Sequence, residues 1–327
     1  MAFRARAFWL RAPGVGEIRA VQVAAPGPDE VLVRTVRSAV SRGTESLVFS
    51  GKVPVDQYVA MRAPFQEGDF PCPVKYGYLN VGVVEDGPAD LVDRLVFCLY
   101  PHQTRYVVPV HAVVPVPDGI HPDRAVLAGT VETAVNALWD AAPLIGDRVT
   151  VIGGGMVGLA VARLLVGIPG TDVEVVDLDE GRRSAAAALG ADFALPADAR
   201  PGRDLVVHAS ASSSGLQLSI DLLADEGTVL DLSWYGDTAV SLHLGGAFHS
   251  RRLTVRASQV GKVSPARSHR CSTTDRLALA LDLLQDPAFD VLVSGSSPFE
   301  DLPDVMAALA DGRLPALCHT ITYEQEA

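Results

Sequence analysis

Up to about residue 118 the apolar positions fall in short β-branched runs; beyond it they alternate between strand and helix spacing. In the first stretch the runs 30–36, 81–85, 94–100 and 106–110 are rich in Val and Leu, and turn-forming clusters such as Ala25-Pro-Gly-Pro-Asp part them. Few helical spacings interrupt these runs, so the pattern predicts a compact barrel-like domain. Past Pro117-Asp-Gly, residues 123–142 carry Ala, Val and Leu at helical spacing, with Asp123 near the start and Pro143 just past the end. Strands are then predicted at 148–152, 172–176, 204–208, 227–232 and 252–257, with helices at 156–166, 181–189 and 215–224 between them. Units alternating at this length give a parallel sheet covered on both faces. The last stretch reads as a helix over 274–284, a short strand around Val291, a helix over 302–310 and a strand over 319–323. The pattern leaves open whether this tail extends the sheet or returns to the first domain.

Composition narrows the function. The 327 residues suggest two domains. With 27 basic against 39 acidic side chains the net charge is −12, which argues against nucleic acid and against anionic membranes as partners. The longest weakly polar run, 149–162, holds four glycines and is cut by Arg163, too short to span a bilayer. Arg4, Arg6 and Arg11 break up the start, so no secretory signal is read there. Cys72, Cys98, Cys271 and Cys318 form no C-x-x-C pair, which fits a reducing cytoplasm. The expectation is a soluble cytoplasmic protein acting on a small molecule and compatible with pairing as a homodimer.

The strongest motif is the glycine turn. Val149-Thr-Val-Ile-Gly-Gly-Gly-Met-Val-Gly carries G-x-G-x-x-G at Gly153, Gly155 and Gly158, between a predicted strand and a predicted helix. Gly153 would make the tight turn, Gly155 admit a pyrophosphate and Gly158 let helix pack on strand. The helix start at Met156 and Val157 would offer N–H groups to the phosphates. Asp177 ends the second strand, where a carboxylate accepts the ribose hydroxyls of NAD and repels a 2′-phosphate. Arg182 and Arg183 follow and could instead pair with the phosphate of NADP; NAD is favoured. A βα turn that binds nothing is the rival reading.

The order of a β-rich domain, a bridging helix and a nucleotide-binding domain resembles the medium-chain dehydrogenase/reductase (alcohol dehydrogenase-like) family over essentially the whole chain. The segments 36–45, 76–84, 127–138 and 204–210 carry the likeness together with the glycine turn. The stretches S-R-G-T-E, K-Y-G-Y and Q-V-G-K-V-S-P are most similar to a subgroup related to bacteriochlorophyllide dehydrogenases. The resemblance implies an α/β protein with a GroES-like β-barrel catalytic domain (1–122, completed by 263–327) and a Rossmann doubly wound parallel-sheet domain (123–262). Cofactor and substrate would lie in the cleft between, with Ser210 among the cofactor-binding residues. The slots of the family's catalytic zinc ligands fall on Arg42, Tyr78 and Gly129, with Leu79 for the accompanying Glu, and Cys98 stands alone where a four-cysteine lobe would be. The implied metal content is none, zinc included.

Without a metal, the negative charge that hydride transfer puts on a carbonyl oxygen needs a hydrogen-bond donor. Tyr78, in a lost ligand slot, is the first candidate, and Lys75 nearby is expected to lower its phenol pKa. Thr44 matches the family's proton-relaying hydroxyl and Glu45 an acid that orients neighbours. Arg42 could hold an anionic group, and Glu132, one helical turn past Gly129, could reach the same cleft. Each has a plainer alternative: a packed aromatic for Tyr78, a turn hydroxyl for Thr44, an Arg42–Glu45 ion pair, a solvated helix position for Glu132. His208 reads as structural, and His319 as a weak cofactor contact. The function expected is a zinc-independent NAD(P)-dependent oxidoreductase acting between a secondary alcohol and a carbonyl. An enoyl or quinone reductase and a non-catalytic dinucleotide binder are the alternatives.

Overall fold

The computed structural model describes residues 2–324. The chain divides into two compact units. The first takes in the residues up to Gly129, Leu277–Gln285 and those from Val293 on; the second is Thr130–Arg276 with Asp286–Leu292.

The first unit is built on the strand Glu30–Val40. It pairs antiparallel with Asn80–Asp86, with Arg105–Pro109 and with Cys318–Thr322 from the far end of the sequence. Inward-facing Val31 and Val33 meet Val84, Val96, Tyr106 and Val108 in a continuous apolar core. A second sheet holds the long hairpin Ala2–Ala12 and Val15–Ala24, which turns at Gly14 with φ of 74°. The tail therefore joins this unit's sheet through the Cys318–Thr322 pairing. The expected strand at Val291 lies instead inside a 3₁₀ stretch, Pro287–Leu292, and the strand Val293–Pro298 follows it. Phe289 and Leu292, three apart, are both buried, a spacing that one 3₁₀ turn satisfies and a strand does not.

Among the elements that fall outside the predicted set, two matter for the first unit. The helix Arg42–Phe49 starts directly after the central strand, behind a turn-like Ser-Arg-Gly that masks it in the sequence. The Glu45 carboxylate accepts from the Ser41 N–H at 2.8 Å, satisfying a donor that the helix start leaves open. The opening hairpin is the other. The expected helix over 123–142 is two, Pro122–Ala125 and Ala128–Ala141, parted at the fully buried Val126 and Leu127.

The second unit is a six-stranded parallel sheet. In spatial order its strands are Asp192–Ala194, Asp172–Val176, Arg148–Ile152, Arg203–His208, Leu223–Asp231 and Thr254–Ala257. The order reverses between Arg148–Ile152 and Arg203–His208, the switch point at which doubly wound sheets bind ligands. The sheet core is Ile152, Val176, Val206 and Val229, packed against Leu216 and Ile220 of the helix Ser213–Asp221. Both halves of the expected architecture, an antiparallel β unit and a parallel α/β unit, are present.

Candidate active site

In the second unit the glycine turn leaves the strand Arg148–Ile152 and opens the helix Met156–Val166. Gly153 has φ of 106°, and a Cβ there would stand 2.9 Å from the Ala209 carbonyl and the Ser210 nitrogen. A Cβ on Gly158 would come within 1.9 Å of the Gly153 oxygen, so helix and strand approach as closely as backbone allows. Gly155, the residue before the helix, has nothing within 4 Å of its would-be Cβ. That open face beside helix N–H groups is a cradle a pyrophosphate fits. Asp177 Oδ2 accepts from the Gly154 N–H at 2.6 Å and Oδ1 from the Asp179 N–H at 2.8 Å. The carboxylate is thereby fixed beside the turn. Arg182 packs its Cβ against Gly154 and ion-pairs with Asp179 at 3.2 Å. Gly153, Gly155, Met156, Val157, Gly158, Asp177, Arg182 and Ser210 thus gather at the carboxyl ends of the parallel strands.

A polar cluster with no signature in the sequence lies at the same end. His208 is 0% exposed; its Nδ1 meets Asp231 Oδ1 at 3.0 Å and its Nε2 meets Ser210 Oγ at 2.8 Å. Tyr235 donates to Asp231 Oδ2 at 2.9 Å and the Ser233 N–H to Asp231 Oδ1 at 2.9 Å. Burial pushes the Asp231 carboxyl up, but these hydrogen bonds outweigh it and hold it below the usual carboxylate range. The register that sets His208 opposite Asp231 needs the sheet, which is why spacing along the chain gives no sign of it.

In the first unit Tyr78 is half-buried, and the hydroxyls of Ser41 and Thr44 are close enough to favour its ionised form. Burial, then the nearby Glu45 charge, pushes the phenol up to about 12 against the pull of those two hydroxyls. Lys75 does not lower it, contrary to expectation. The strand Val74–Lys75 ends before Tyr78, and Gly77 between them holds φ of 135°, so nearness in sequence does not carry the ammonium to the phenol. The Lys75 ammonium, itself lowered by burial, pairs with Glu67 and donates to Gln103 Oε1 at 2.7 Å. Behind Tyr78 runs a buried chain: Glu45 Oε2 to His102 Nε2 at 3.0 Å, His102 Nδ1 to Ser38 Oγ at 2.7 Å, and Ser38 Oγ to Tyr323 OH at 2.8 Å. His102 and Glu45 are 1% and 2% exposed. Glu45 is therefore held by His102 and the Ser41 N–H, and Arg42, exposed at the helix start, is not its partner.

Glu132 belongs to the second unit. It is buried, not a solvated helix position, and accepts from Arg276 Nε at 3.0 Å and Nη2 at 2.8 Å. Burial raises its pKa and Arg276 opposes the rise. The same guanidinium donates to Asn136 Oδ1 and the Val260 and Lys262 carbonyls, so the pair pins the stretch around Gln259–Pro265. His319, in the first unit, bonds Ser297 Oγ through Nε2 at 2.9 Å, and burial lowers its pKa.

The zinc-ligand slots do not fit zinc. Arg42 is a cation, Tyr78 holds its proton at neutral pH, and a Cβ on Gly129 would meet Leu79 at 2.6 Å with Phe97 and Leu99 behind. Among the described residues no three His, Cys, Asp or Glu side chains stand together as a metal site.

No protein-family model and no curated protein matches the chain. Solved structures do. L-idonate 5-dehydrogenase from Escherichia coli K-12 superimposes with a TM-score of 0.82 at 13% identity, over 98% of this chain and 99% of that one. A structure described as short chain alcohol dehydrogenase from E. coli CFT073, complexed with NADH, gives 0.78 at 15% over 98% and 99%. An alcohol dehydrogenase zinc-binding domain protein from Burkholderia ambifaria gives 0.78 at 17% over 99% and 100%. At these identities the likeness is one of fold. The chain shares the two-part α/β fold of these dehydrogenase structures, a GroES-like unit and a Rossmann unit.

Proposed function

We propose that the chain is a zinc-independent, NAD(P)-dependent oxidoreductase of the medium-chain type, interconverting a secondary alcohol and a carbonyl on a small or medium metabolite. The observation that carries this reading is the glycine turn with its open face at Gly155 and the Asp177 carboxylate fixed beside it. When bound, the dinucleotide supplies or accepts the hydride. The N–H groups at Met156 and Val157 hold the pyrophosphate, and Asp177 takes the ribose hydroxyls, which favours NAD over NADP.

In the first unit Tyr78 is the oxyanion donor. A phenol held near 12 keeps its proton at neutral pH and can donate it as a hydrogen bond to the developing alkoxide. Thr44 and Ser41 lie beside that phenol, and Thr44 is the relay for the proton. Glu45, locked by His102, keeps the helix start that carries Thr44 in place. Cytoplasmic residence follows the scattered cysteines, and the exposed edge strand Thr254–Ala257 supports pairing with a second copy.

The test is titration of the full chain with NADH and NADPH by nicotinamide fluorescence. Asp177→Ala weakens NADH at least about tenfold, since each charged hydrogen bond is worth roughly 1.5–3 kcal/mol, and NADPH much less. Equal weakening of both removes Asp177 from the ribose; no binding of either by the parent chain overturns the reading.

A further inference from the structure

Ser210 is exposed, and the imidazole behind it is fully buried. The distances from Ser210 Oγ to His208 Nε2 (2.8 Å) and from His208 Nδ1 to Asp231 Oδ1 (3.0 Å) are those of a nucleophile, its base and the group that orients the base. The carboxylate fixes the imidazole proton on Nδ1, leaving the Nε2 lone pair directed at the serine hydroxyl. Asp231 is itself fully engaged by the Ser233 N–H and the Tyr235 hydroxyl, so the imidazole is held in one orientation. Ser212 Oγ stands 2.9 Å from Ser210 Oγ and receives the Gly215 N–H, tying the loop to the first turn of the helix Ser213–Asp221. Between the two serines, Ala211 holds φ of 51°, a left-handed conformation that a non-glycine residue adopts only when its surroundings impose it. The Ala211 N–H is committed to Ser233 Oγ, which leaves the first N–H groups of that helix, at Ser213 and Ser214, as the donors for a developing oxyanion.

We propose that Ser210 is an activated nucleophile toward carboxylic esters, with His208 as general base and Asp231 as positioning residue. This hydrolytic activity needs no dinucleotide. In the first step Ser210 Oγ adds to the ester carbonyl as its proton passes to His208 Nε2. The C–O bond to the alcohol then breaks, and the alcohol leaves with that proton. Water, deprotonated by the same Nε2, hydrolyses the acyl-serine and returns the enzyme. No redox change occurs, and water is the only co-reactant.

The full-length protein is treated with 4-nitrophenyl acetate and with a fluorophosphonate, and the adduct is mapped by peptide mass. Ser214, also exposed and four residues on, is an unactivated reference in the same molecule. Modification of Ser210 at least about 100-fold faster than Ser214, with one 4-nitrophenol released per chain in the first turnover and loss of both in Ser210→Ala, is the expected result. Adducts on the two serines at similar rates, or none on Ser210, overturn the proposal. Because His208 is buried and its replacement could unfold the unit, its role as base is read at the surface instead. Ser210→Cys alkylates with iodoacetamide at about pH 6 at least tenfold faster than Ser214→Cys, as an imidazole-paired thiolate does. Equal rates exclude His208 as the base. NADH binding measured on the parent chain, in which Ser210 is intact, reports on the oxidoreductase reading separately.

Discussion

The glycine turn of the second unit and the Tyr78 pocket of the first solve different problems with different materials. Around Gly153 and Gly158 the site is backbone: N–H groups, a positive φ and a helix approach that leaves no room for a methyl group. Around Tyr78 it is side chain: a phenol, two hydroxyls and a buried carboxylate–imidazole chain whose members lie at positions 38, 45, 102 and 323. A backbone site depends on where glycine is and leaves a short contiguous signature. A side-chain site depends on which strands meet and leaves its residues scattered through the chain. The same contrast holds for how each should fail.

The largest expected effect is steric and falls on the backbone site. Gly158→Ala places a Cβ 1.9 Å from the Gly153 oxygen, so turn or helix must move, and a loss of about 3 kcal/mol in denaturant unfolding is expected. Gly155→Ala, with open space around it, leaves stability within about 0.5 kcal/mol while weakening dinucleotide binding. Equal stability losses at both glycines would show that the close approach is not what fixes this turn.

Tyr78→Phe is next. It keeps the ring and removes the donor, so carbonyl reduction slows about 100-fold with NADH affinity unchanged, measured by single-turnover absorbance. A variant as fast as its parent would move the oxyanion donor elsewhere and leave Tyr78 as packing.

The smallest effect is on stability against pH. His319 has its folded pKa depressed by burial, so below its unfolded value the unfolded chain binds a proton the folded chain resists. Stability from this group is present above about pH 6.5 and declines as pH falls toward the folded value. Urea melts at about pH 7 and pH 5.5 should show a shallower decline for His319→Gln than for the parent. An unchanged slope would place the titration elsewhere.

Much of the second unit is legible in its residue pattern alone. The helix Met156–Val166 and the strand Asp172–Val176 lie at the predicted residues, because the helix is apolar at every position but Gly158 and Arg163 and the strand carries valine at 173, 175 and 176. The helix Arg42–Phe49 is hidden because its first turn is Arg-Gly-Thr-Glu and its stability comes from Glu45 reaching back to Ser41 and across to His102. His102 itself carries no signal. It sits in a Pro-His-Gln-Thr stretch and gains meaning only when Ser38 and Glu45 are folded against it. Lys75 misleads for the complementary reason: it is close to Tyr78 in sequence, but its strand ends there and its ammonium is taken by Glu67 and Gln103.

The pairing of Glu30–Val40 with Cys318–Thr322 has a consequence for synthesis. Ser38 and Tyr323, joined by a hydroxyl pair, are 285 positions apart, so the strand that covers one edge of Glu30–Val40 is synthesised long after that edge. At elongation rates of about 5–20 residues per second, that edge waits tens of seconds with its backbone groups open to other chains. The second unit, whose parallel strands all lie between residues 148 and 257, can close meanwhile. Newborn chains thus pass through a stage with one finished half and one unsealed sheet, when a chaperone has the most to protect.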